Sequence, residues 1–324
     1  MRMDRRTLLG GVAALSLAPA LPAGAVPFRR TRPMDAGWPT QQQWDALKAG
    51  VGGNLSKPTA LFSSCTADAN GADCVAAKKE LGNPYFIGDQ AGGTQVSGWE
   101  GAWSPAPSAY AVAAHKPADI VAAVNFARDH KLRLAVKGGG HSYQGTSNAP
   151  DSLLVWTRPM HAITLHDDFV PEGSRDAPVP AVTIEAGAMW VDAYDAVTTR
   201  AHRYVQGGGC MTVGVAGLIQ SGGFGSFSKR YGTAASSLLE AQIVTADGKL
   251  RSVNAVRDAD LFWGLKGGGG GSLGVVTSVT LKTHELPQYF GHIECTIRAG
   301  SADDFRKLLA RFVDFYADSL FNAH

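Results

Sequence analysis

Apolar residues recur along the chain at two spacings, which together predict a mixture of strands and helices. The stretch "SAYAVAAHKPADIVAAVNFARDHK" predicts a strand, a turn at Lys116-Pro117 and a helix with Asp119 near its start. Apolar runs in "LRLAVKGGGHS", "SLLVWT", "PAVTIEAGA" and "GVVTSVTLKTH" predict further strands, and "SLLEAQIVTADGKLRSV" predicts a hairpin that turns at Asp247-Gly248. The predicted fold class is therefore α+β, with a sheet that is antiparallel or mixed.

Other patterns extend this picture toward both ends of the chain. "QQQWDALKAGVGG" predicts a short helix that ends at glycines, and "VDAYDAVTTRAH" predicts another. The alternation in "HIECTIRA" predicts a strand in which Cys295 packs as a small apolar residue. A last helix is predicted from Ser301 or Ala302, and its apolar side consists of Phe305, Leu308, Leu309, Phe312 and Phe315. We expect this strand and helix to begin a further domain that is incomplete.

The first 25 residues have the pattern of an export signal. They combine a charged start, a short apolar stretch and the small-residue exit Ala23-Gly24-Ala25. Pro19 and Pro22 interrupt the apolar part, which is too short for a membrane span. Arg5-Arg6 before "TLL" resembles a twin-arginine signal, a route that carries folded proteins, and an ordinary secretory signal is the alternative. We expect a protein exported to the periplasm or the outside of the cell.

The composition of the chain limits the classes of partner that the protein is expected to bind. The 324 residues are 45% hydrophobic and 18% charged, enough for a large core in one large domain or two ordinary ones. A net charge of +2 without a long basic run argues against nucleic acid and anionic membranes. Cys65 and Cys74 bracket a polar loop and predict a disulfide in an exported protein. The cysteines form no C-x-x-C pair, so no metal site is predicted, and Cys210 is left without a partner.

The 39 glycines are concentrated in three clusters, at residues 136–145, 207–225 and 265–278. Glycine-rich backbone amides bind pyrophosphate without basic side chains. His141 and Cys210 each follow three glycines directly, so both are candidates to reach one nucleotide ligand. For each residue considered singly, the alternatives are a loop histidine bonded to backbone and a buried, inert thiol.

Two known functional motifs occur without all the features that they require. Gly269, Gly271 and Gly274 spell G-x-G-x-x-G, but they follow a helix-like segment and enter a β-rich one, the reverse of a Rossmann site. No P-loop motif occurs. "GHSYQ" has Gln144 where the nucleophile elbow of a hydrolase has its last glycine. A serine hydrolase with Ser142 as nucleophile is therefore the rival enzyme class.

Four blocks together resemble the berberine bridge enzyme-like branch of the vanillyl-alcohol oxidase family of flavoproteins. They are "GWEGAWSPAPSAYAVAAHKPADIVAAVNFARDH", "LAVKGGGHSYQGTSN", "GGGCMTVGVAGLIQSGGFGSFSKRYGTAASSLLEAQIVTADG" and "DADLFWGLKGGGGGSLGVVTSVTLK", in the family's order. The resemblance implies a PCMH-type FAD-binding domain of two α+β subdomains at residues 104–286. It would follow a signal at 1–25 and an N-terminal segment at 26–103, and precede the start of a truncated substrate domain at 287–324.

The resemblance also implies the residues that bind FAD. His141 and Cys210 stand where the family attaches the flavin covalently, at the 8α-methyl carbon and at C6, and two links tend to raise its reduction potential. Amides near the pyrophosphate are implied for Gly138, Gly139, Gly140 and Ser142. The flavin and ribityl chain are implied to lie along Thr212, Val213, Gly214, Gly217, Gly222 and Gly225, with Val276 near the adenine.

The expected reaction is that of an oxidase. Hydride would pass from an alcohol, sugar or amine-bearing carbon of a small molecule to flavin N5, with molecular oxygen as acceptor. The family's catalytic base lies in the part that follows residue 324, so no catalytic residue is predicted here. A flavin-binding fragment without turnover is the alternative, as is an exported glycine-rich protein that has lost the cofactor.

Overall fold

The computed structural model describes residues 28–96, 98–291 and 293–322, and the predicted export signal lies outside these ranges. The described sheets and helices all belong to one compact unit, which begins at Thr31. None of the helices in the described ranges has the length and apolar character needed to cross a membrane.

The first half of the fold is a four-stranded mixed sheet in the order β1-β2-β4-β3. Strands β2 and β3 are both parallel to β4, and β1 is antiparallel to β2. The strands are β1 Leu55–Ser56, β2 Tyr110–Ala113, β3 Arg133–Lys137 and β4 Ser152–Trp156. The carboxyl ends of β3 and β4 therefore point the same way, and the first glycine cluster begins where β3 ends.

A single helix connects β2 to β3. It spans Pro117–Asp129, with proline at its first position and the Asp119 carboxylate accepting hydrogen bonds from the His115 and Lys116 amides. Its inner side buries Ile120 and Ala123 completely against the sheet. This packing fixes the direction in which β3 runs toward the glycines.

The second half of the fold is a five-stranded antiparallel sheet in the order β5-β6-β10-β8-β9. Its inner side carries the largest apolar cluster, centred on Val182, Ile184, Trp190, Ile243 and Leu281. A two-stranded ribbon pairs β7 with β11. The strands are β5 Ile163–Phe169, β6 Val179–Glu185, β7 Arg203–Tyr204, β8 Leu238–Val244, β9 Leu250–Asn254, β10 Val275–Lys282 and β11 His284–Glu285.

The helices that flank these sheets are mostly short, and they are numbered α1 to α9 along the chain. They are α1 Gln41–Gly50, α2 Ser63–Ala67, α3 Ala72–Glu80, α4 Pro117–Asp129, α5 Trp190–Tyr194, α6 Val215–Gln220, α7 Ser228–Tyr231, α8 Ala259–Leu265 and α9 Ala302–Phe315. A π-helical turn, Asp195–Arg200, extends α5. Helix α6 lies inside the second glycine cluster, where the sequence predicted no regular element.

Most of the predicted fold is confirmed. The α+β class, the mixed sheet, the hairpin at Asp247-Gly248 and the final helix all occur, and Cys65 is bonded to Cys74. Strand β5 was not predicted, because its pattern of half-buried and exposed residues leaves no apolar run.

One expectation about packing was wrong. Residues 293–300 form no strand, and Cys295 is exposed rather than packed. Alternation alone does not make a strand when no neighbouring strand pairs with it. The apolar side of α9 is exposed in the same way, with Phe305, Phe312 and Phe315 each more than half accessible.

Candidate cofactor site

Glycine lets the loop after β3 pack directly against the second glycine cluster. A Cβ at Gly139 would lie 2.7 Å from the Thr212 carbonyl oxygen and 2.8 Å from the Gly214 nitrogen. A Cβ at Gly138 would lie 2.9 Å from the Ala186 carbonyl oxygen. Gly140 has φ +87°, a conformation that favours glycine. The first cluster is therefore a close backbone contact as well as a turn.

The segment from residue 210 to 215 is held by backbone hydrogen bonds to the entrance of α5. The Trp190 amide donates to the Val213 carbonyl at 3.0 Å, and the Val215 amide donates to the Ala188 carbonyl at 3.0 Å. Val213 packs against the large apolar cluster. The two predicted cofactor loops thus meet on a backbone framework that the five-stranded half of the fold fixes.

His141 and Cys210 come together at this junction, as the sequence predicted for residues that reach one ligand. Nε2 of His141 lies 2.8 Å from the Thr212 hydroxyl oxygen, and Sγ of Cys210 lies 3.5 Å from the same oxygen. His141 is half-buried and Cys210 is exposed. Cys210 is therefore not a buried, inert thiol, and the His141 imidazole bonds to the Thr212 hydroxyl as well as to the Thr212 backbone.

Burial also sets the charge of the imidazole. Desolvation lowers the pKa of His141 below its usual 6.5, and hydrogen bonding to the Thr212 backbone offsets part of that shift. The neutral form therefore predominates at pH 7, and a neutral imidazole has a nitrogen lone pair with which to bond a ligand.

The remaining glycines of the second cluster divide into closed and open positions. A Cβ at Gly225 would overlap the Gly207 carbonyl, whereas nothing lies within 4 Å of a Cβ at Gly217 or Gly222. Position 222 also favours glycine because its φ of +89° is one that other residues rarely adopt. Gly217 is exposed although it lies inside α6. Open space beside glycines that follow Cys210 is what a bulky ligand in this loop requires.

The third cluster meets the end of α6. The amide of Gly269 donates to the Gln220 carbonyl at 2.9 Å, and the amide of Gly271 donates to Oε1 of Gln220 at 3.4 Å. A cleft of about 520 Å³ borders it, lined by Trp263, Lys266 and Gly267 among others. The G-x-G-x-x-G segment runs from helix α8 into strand β10, so the Rossmann interpretation is correctly rejected.

The structure does not support Ser142 as a hydrolase nucleophile. Its hydroxyl bonds to the Thr146 hydroxyl at 2.7 Å, and the adjacent imidazole is engaged with Thr212 instead. Turns, rather than a helix, follow Ser142 in residues 143–146. A nucleophile elbow requires a strand-to-helix turn and a base that reaches the serine. The Ser142 amide donates to the Ser147 hydroxyl at 3.3 Å.

Val276 stands apart from the other predicted positions. Its side chain is only 4% exposed and packs in the large apolar cluster, and its backbone pairs with Ile243 of β8. The same cluster includes Val215 and Ala216, at the start of the helix in the second glycine cluster. Its proximity to an adenine stays a prediction.

Lys137, the last residue of β3, is a site residue that the sequence reasoning missed. It is 2% exposed, and its Nζ donates to the carbonyls of Gln90, Ala91 and Gly93 at 2.6, 2.6 and 2.9 Å. Burial lowers the pKa of Lys137 to about 7, whereas three acceptors favour the ammonium, because a neutral amine has only two hydrogens to donate. A lysine directly after the apolar run Leu134, Ala135 and Val136 was the available signal.

These three hydrogen bonds form a lysine clamp, which holds residues 90–95 as a cover over the first glycine loop. The stretch that it binds continues to Gln95, whose amide donates to the Gly140 carbonyl at 2.9 Å. The indole nitrogen of Trp103 donates to the Tyr143 carbonyl at 2.7 Å, on the other side of His141. The backbone on both sides of His141 is therefore restrained from outside the loop.

These residues fit FAD. The loops offer glycine backbone amides of the kind that bind pyrophosphate. In the part of the chain that the structure describes, no group of three or more side chains could hold a metal ion. A neutral imidazole and an accessible thiol lie at one junction, and the second glycine cluster has open positions at Gly217 and Gly222. Two nucleophilic atoms at one point suit a ligand attached twice.

Comparisons with known proteins agree with this fit. Residues 107–254 match the family described as FAD binding domain, inside the predicted range 104–286. The FAD-linked oxidoreductase asqF of Emericella nidulans is 33% identical over 82% of this chain and 50% of its own length. An uncharacterized FAD-linked oxidoreductase of Arthroderma benhamiae is 34% identical over 83% of this chain and 51% of its own length.

A solved structure extends the similarity to the fold. The VAO-type flavoprotein MtVAO615 of Myceliophthora thermophila C1 is 28% identical, with a TM-score of 0.70 over 79% of this chain and 49% of that protein. The chain belongs to the VAO-type FAD-linked oxidoreductases. It spans about half the length of the curated relatives it matches. The predicted family and PCMH-type fold of this VAO-type chain are thereby confirmed.

Proposed function

We propose that this chain is the FAD-binding part of an oxidoreductase whose flavin is attached to both His141 and Cys210. The observation that carries the proposal is the convergence of these two side chains on the Thr212 hydroxyl. They come from glycine clusters about 70 residues apart in sequence, as the 71-residue separation of His141 and Thr212 shows. A packing role explains neither the exposed thiol nor the neutral imidazole beside it.

Several residues of the chain would hold the cofactor in this proposal. The backbone of Gly138, Gly139, Gly140 and Ser142 would face the pyrophosphate, and the open positions Gly217 and Gly222 would admit the flavin and ribityl chain. Thr212, Val213, Gly214 and Gly225 would shape the loop, since they are fixed against α5 and Gly207. When bound, FAD supplies the hydride acceptor, and the protein binds and orients it.

The substrate would be a small molecule with an oxidisable alcohol, sugar or amine-bearing carbon, and oxygen would take up the electrons. In this proposal the residues that converge here bind and tune the flavin. Export by the twin-arginine route is part of the proposal, because that route carries proteins already folded around a cofactor. The Cys65–Cys74 disulfide supports an oxidising destination.

Acid precipitation of the purified chain tests the proposal. We expect yellow, flavin-like absorbance to stay with the denatured pellet, because a covalent bond survives unfolding. Colour only in the supernatant would leave FAD binding intact and contradict the attachment. A colourless pellet and supernatant would contradict the flavoprotein function for this chain.

Variants assign the attachment points. His141→Ala and Cys210→Ala should each keep pellet colour through the remaining link, whereas the double variant should release all colour to the supernatant. Cys295→Ala is the matched control, because Cys295 is the other free and exposed cysteine in the described ranges. Pellet colour in the double variant would show that another residue carries the flavin.

A further inference from the structure

The hydroxyl of Thr212 is a bonding partner that His141 and Cys210 share, at 2.8 and 3.5 Å. We propose that Thr212 is a positioning residue for both attachment points, and that its single hydroxyl orients the imidazole and the thiol together. This inference rests on the proposed function, because it concerns how the two side chains are prepared for a flavin.

The position of Thr212 is fixed by its own backbone. Val213 donates to the Cys210 carbonyl at 3.3 Å, and the Trp190 and Val191 amides donate to the carbonyls of Val213 and Met211 at 3.0 and 2.9 Å. The Thr212 carbonyl also lies against Gly139, where no side chain fits. The backbone that carries the hydroxyl is therefore fixed, and the β-branched side chain of Thr212 is stiff at χ1, so the hydroxyl has few positions available to it.

The hydrogen count links the two partners. A hydroxyl has one hydrogen, so it cannot donate to both atoms at once. When it donates to Cys210 Sγ it must accept from His141 Nε2–H, and when it donates to His141 Nε2 it accepts from the thiol S–H. In either direction the proton position on one side chain sets the proton position on the other.

Only one direction leaves an imidazole nitrogen that can bond a ligand. When the hydroxyl accepts from Nε2–H, the neutral ring carries its lone pair on Nδ1, whereas in the other direction Nδ1 carries the hydrogen. Nε2 is occupied by the Thr212 hydroxyl, and Nδ1 has no hydrogen bond to another side chain in the described part of the chain. The neighbouring hydroxyl of Ser142 does not substitute for Thr212, because Thr146 holds it at 2.7 Å. Attachment through Nδ1 therefore follows from the position of Thr212.

The test compares Thr212→Val, which keeps the shape and removes the hydroxyl, with Thr212→Ser, which keeps the hydroxyl. The full chain is purified, denatured and digested, and flavin on the His141 peptide and on the Cys210 peptide is measured separately by mass. In Thr212→Val we expect both attachments to fall to about a tenth of wild type, the effect of one ordinary hydrogen bond. In Thr212→Ser both should recover to within about twofold of wild type.

Several outcomes would overturn the inference. It fails if Thr212→Val keeps both attachments at the wild-type level, if only one attachment falls, or if Thr212→Ser falls as far as Thr212→Val. A wild-type chain without covalent flavin would instead contradict the proposed attachment, so the two failures are distinguishable. Non-covalent FAD in the Thr212→Val supernatant shows that this variant is folded.

A measurement on the wild type alone covers the case in which Thr212→Val does not fold. Nitrogen-15 NMR of the isolated flavin peptide identifies the imidazole nitrogen that carries the flavin. Attachment at Nδ1 is the expected result. Attachment at Nε2 would overturn the inference, because that atom would then not be held by Thr212.

Discussion

The glycine loops have a closed side and an open side, and the two differ although their residue type is the same. On the closed side, Gly139, Gly214 and Gly225 contact backbone so tightly that a Cβ would collide with it. On the open side, Gly209, Gly217 and Gly222 have nothing within 4 Å of a Cβ. Glycine on the first side permits packing within the protein, and glycine on the second leaves room for something else.

The closed side gives the largest predicted effect. Gly139→Ala places a methyl group 2.7 Å from one backbone atom and 2.8 Å from another. Neither backbone segment can rotate away as a side chain would, so we expect a loss of about 3 kcal/mol or more in the free energy of unfolding. Urea unfolding measures it. Gly209→Ala is the matched control and should stay within about 0.5 kcal/mol. A similar loss there would show that closed and open glycines do not differ in their tolerance of a methyl group.

The lysine clamp should give the next largest effect, because it fixes the cover over the closed side. Lys137→Met keeps the stem but leaves three carbonyls without their donor, and we expect a loss of about 2 kcal/mol. Urea unfolding again measures the loss, and hydrogen exchange at residues 90–95 should rise. Lys249→Met changes an exposed lysine and is the control. Equal effects of the two changes would show that the clamp contributes nothing.

On the open side, a glycine-to-alanine substitution should raise the free energy of unfolding instead of lowering it. Gly217→Ala adds a methyl group within helix α6, where alanine is the better helix former, so we expect a gain of about 0.5–1 kcal/mol. The same methyl group enters the space that we assign to the cofactor, so flavin content per chain should fall. Absorbance of the purified protein against its amino-acid content measures this. Full flavin content would mean that this space is not used by the cofactor.

The pH dependence that His141 confers should give the smallest effect. Burial lowers its pKa below 6.5, so between that lowered value and 6.5 the unfolded chain binds more protons than the folded chain. The free energy of unfolding of flavin-free protein should therefore fall as the pH falls through 6.5. His141→Gln should remove this part of the slope. Identical slopes in the two proteins would contradict a buried, neutral imidazole.

The sequence singled out candidate residues for the site, but it did not predict how they are arranged. His141 and Cys210 stood out because each follows three glycines, and the resemblance to a flavoprotein family added their roles. The sharing of Thr212 was not predictable, since a threonine in a loop carries no pattern. The sequence also did not show which glycines are closed. A Cβ collision depends on segments that are distant in the chain, such as Gly139 against Gly214.

Local patterns worked where a neighbouring element completed them. Helix α4 and strand β3, which lead to Lys137, agree with their periodicity because their apolar sides pack against each other and strand β4 pairs with β3. "HIECTIRA" has an equally regular alternation but no strand partner in the described residues, and it stays irregular. Periodicity therefore predicts the side that can be buried, and tertiary contacts decide whether it is.

The clamp at Lys137 also sets an order of assembly. It closes chain segments of 44 to 47 residues, and the stretch that it binds, residues 90–93, has only turns of its own. Loop closure costs chain entropy that is recovered only once β3 is in the sheet. This stretch should therefore close last during folding and open first in the native state. The rate of proteolytic cleavage near residue 93 would then measure how often residues 90–95 detach from the loop that carries His141.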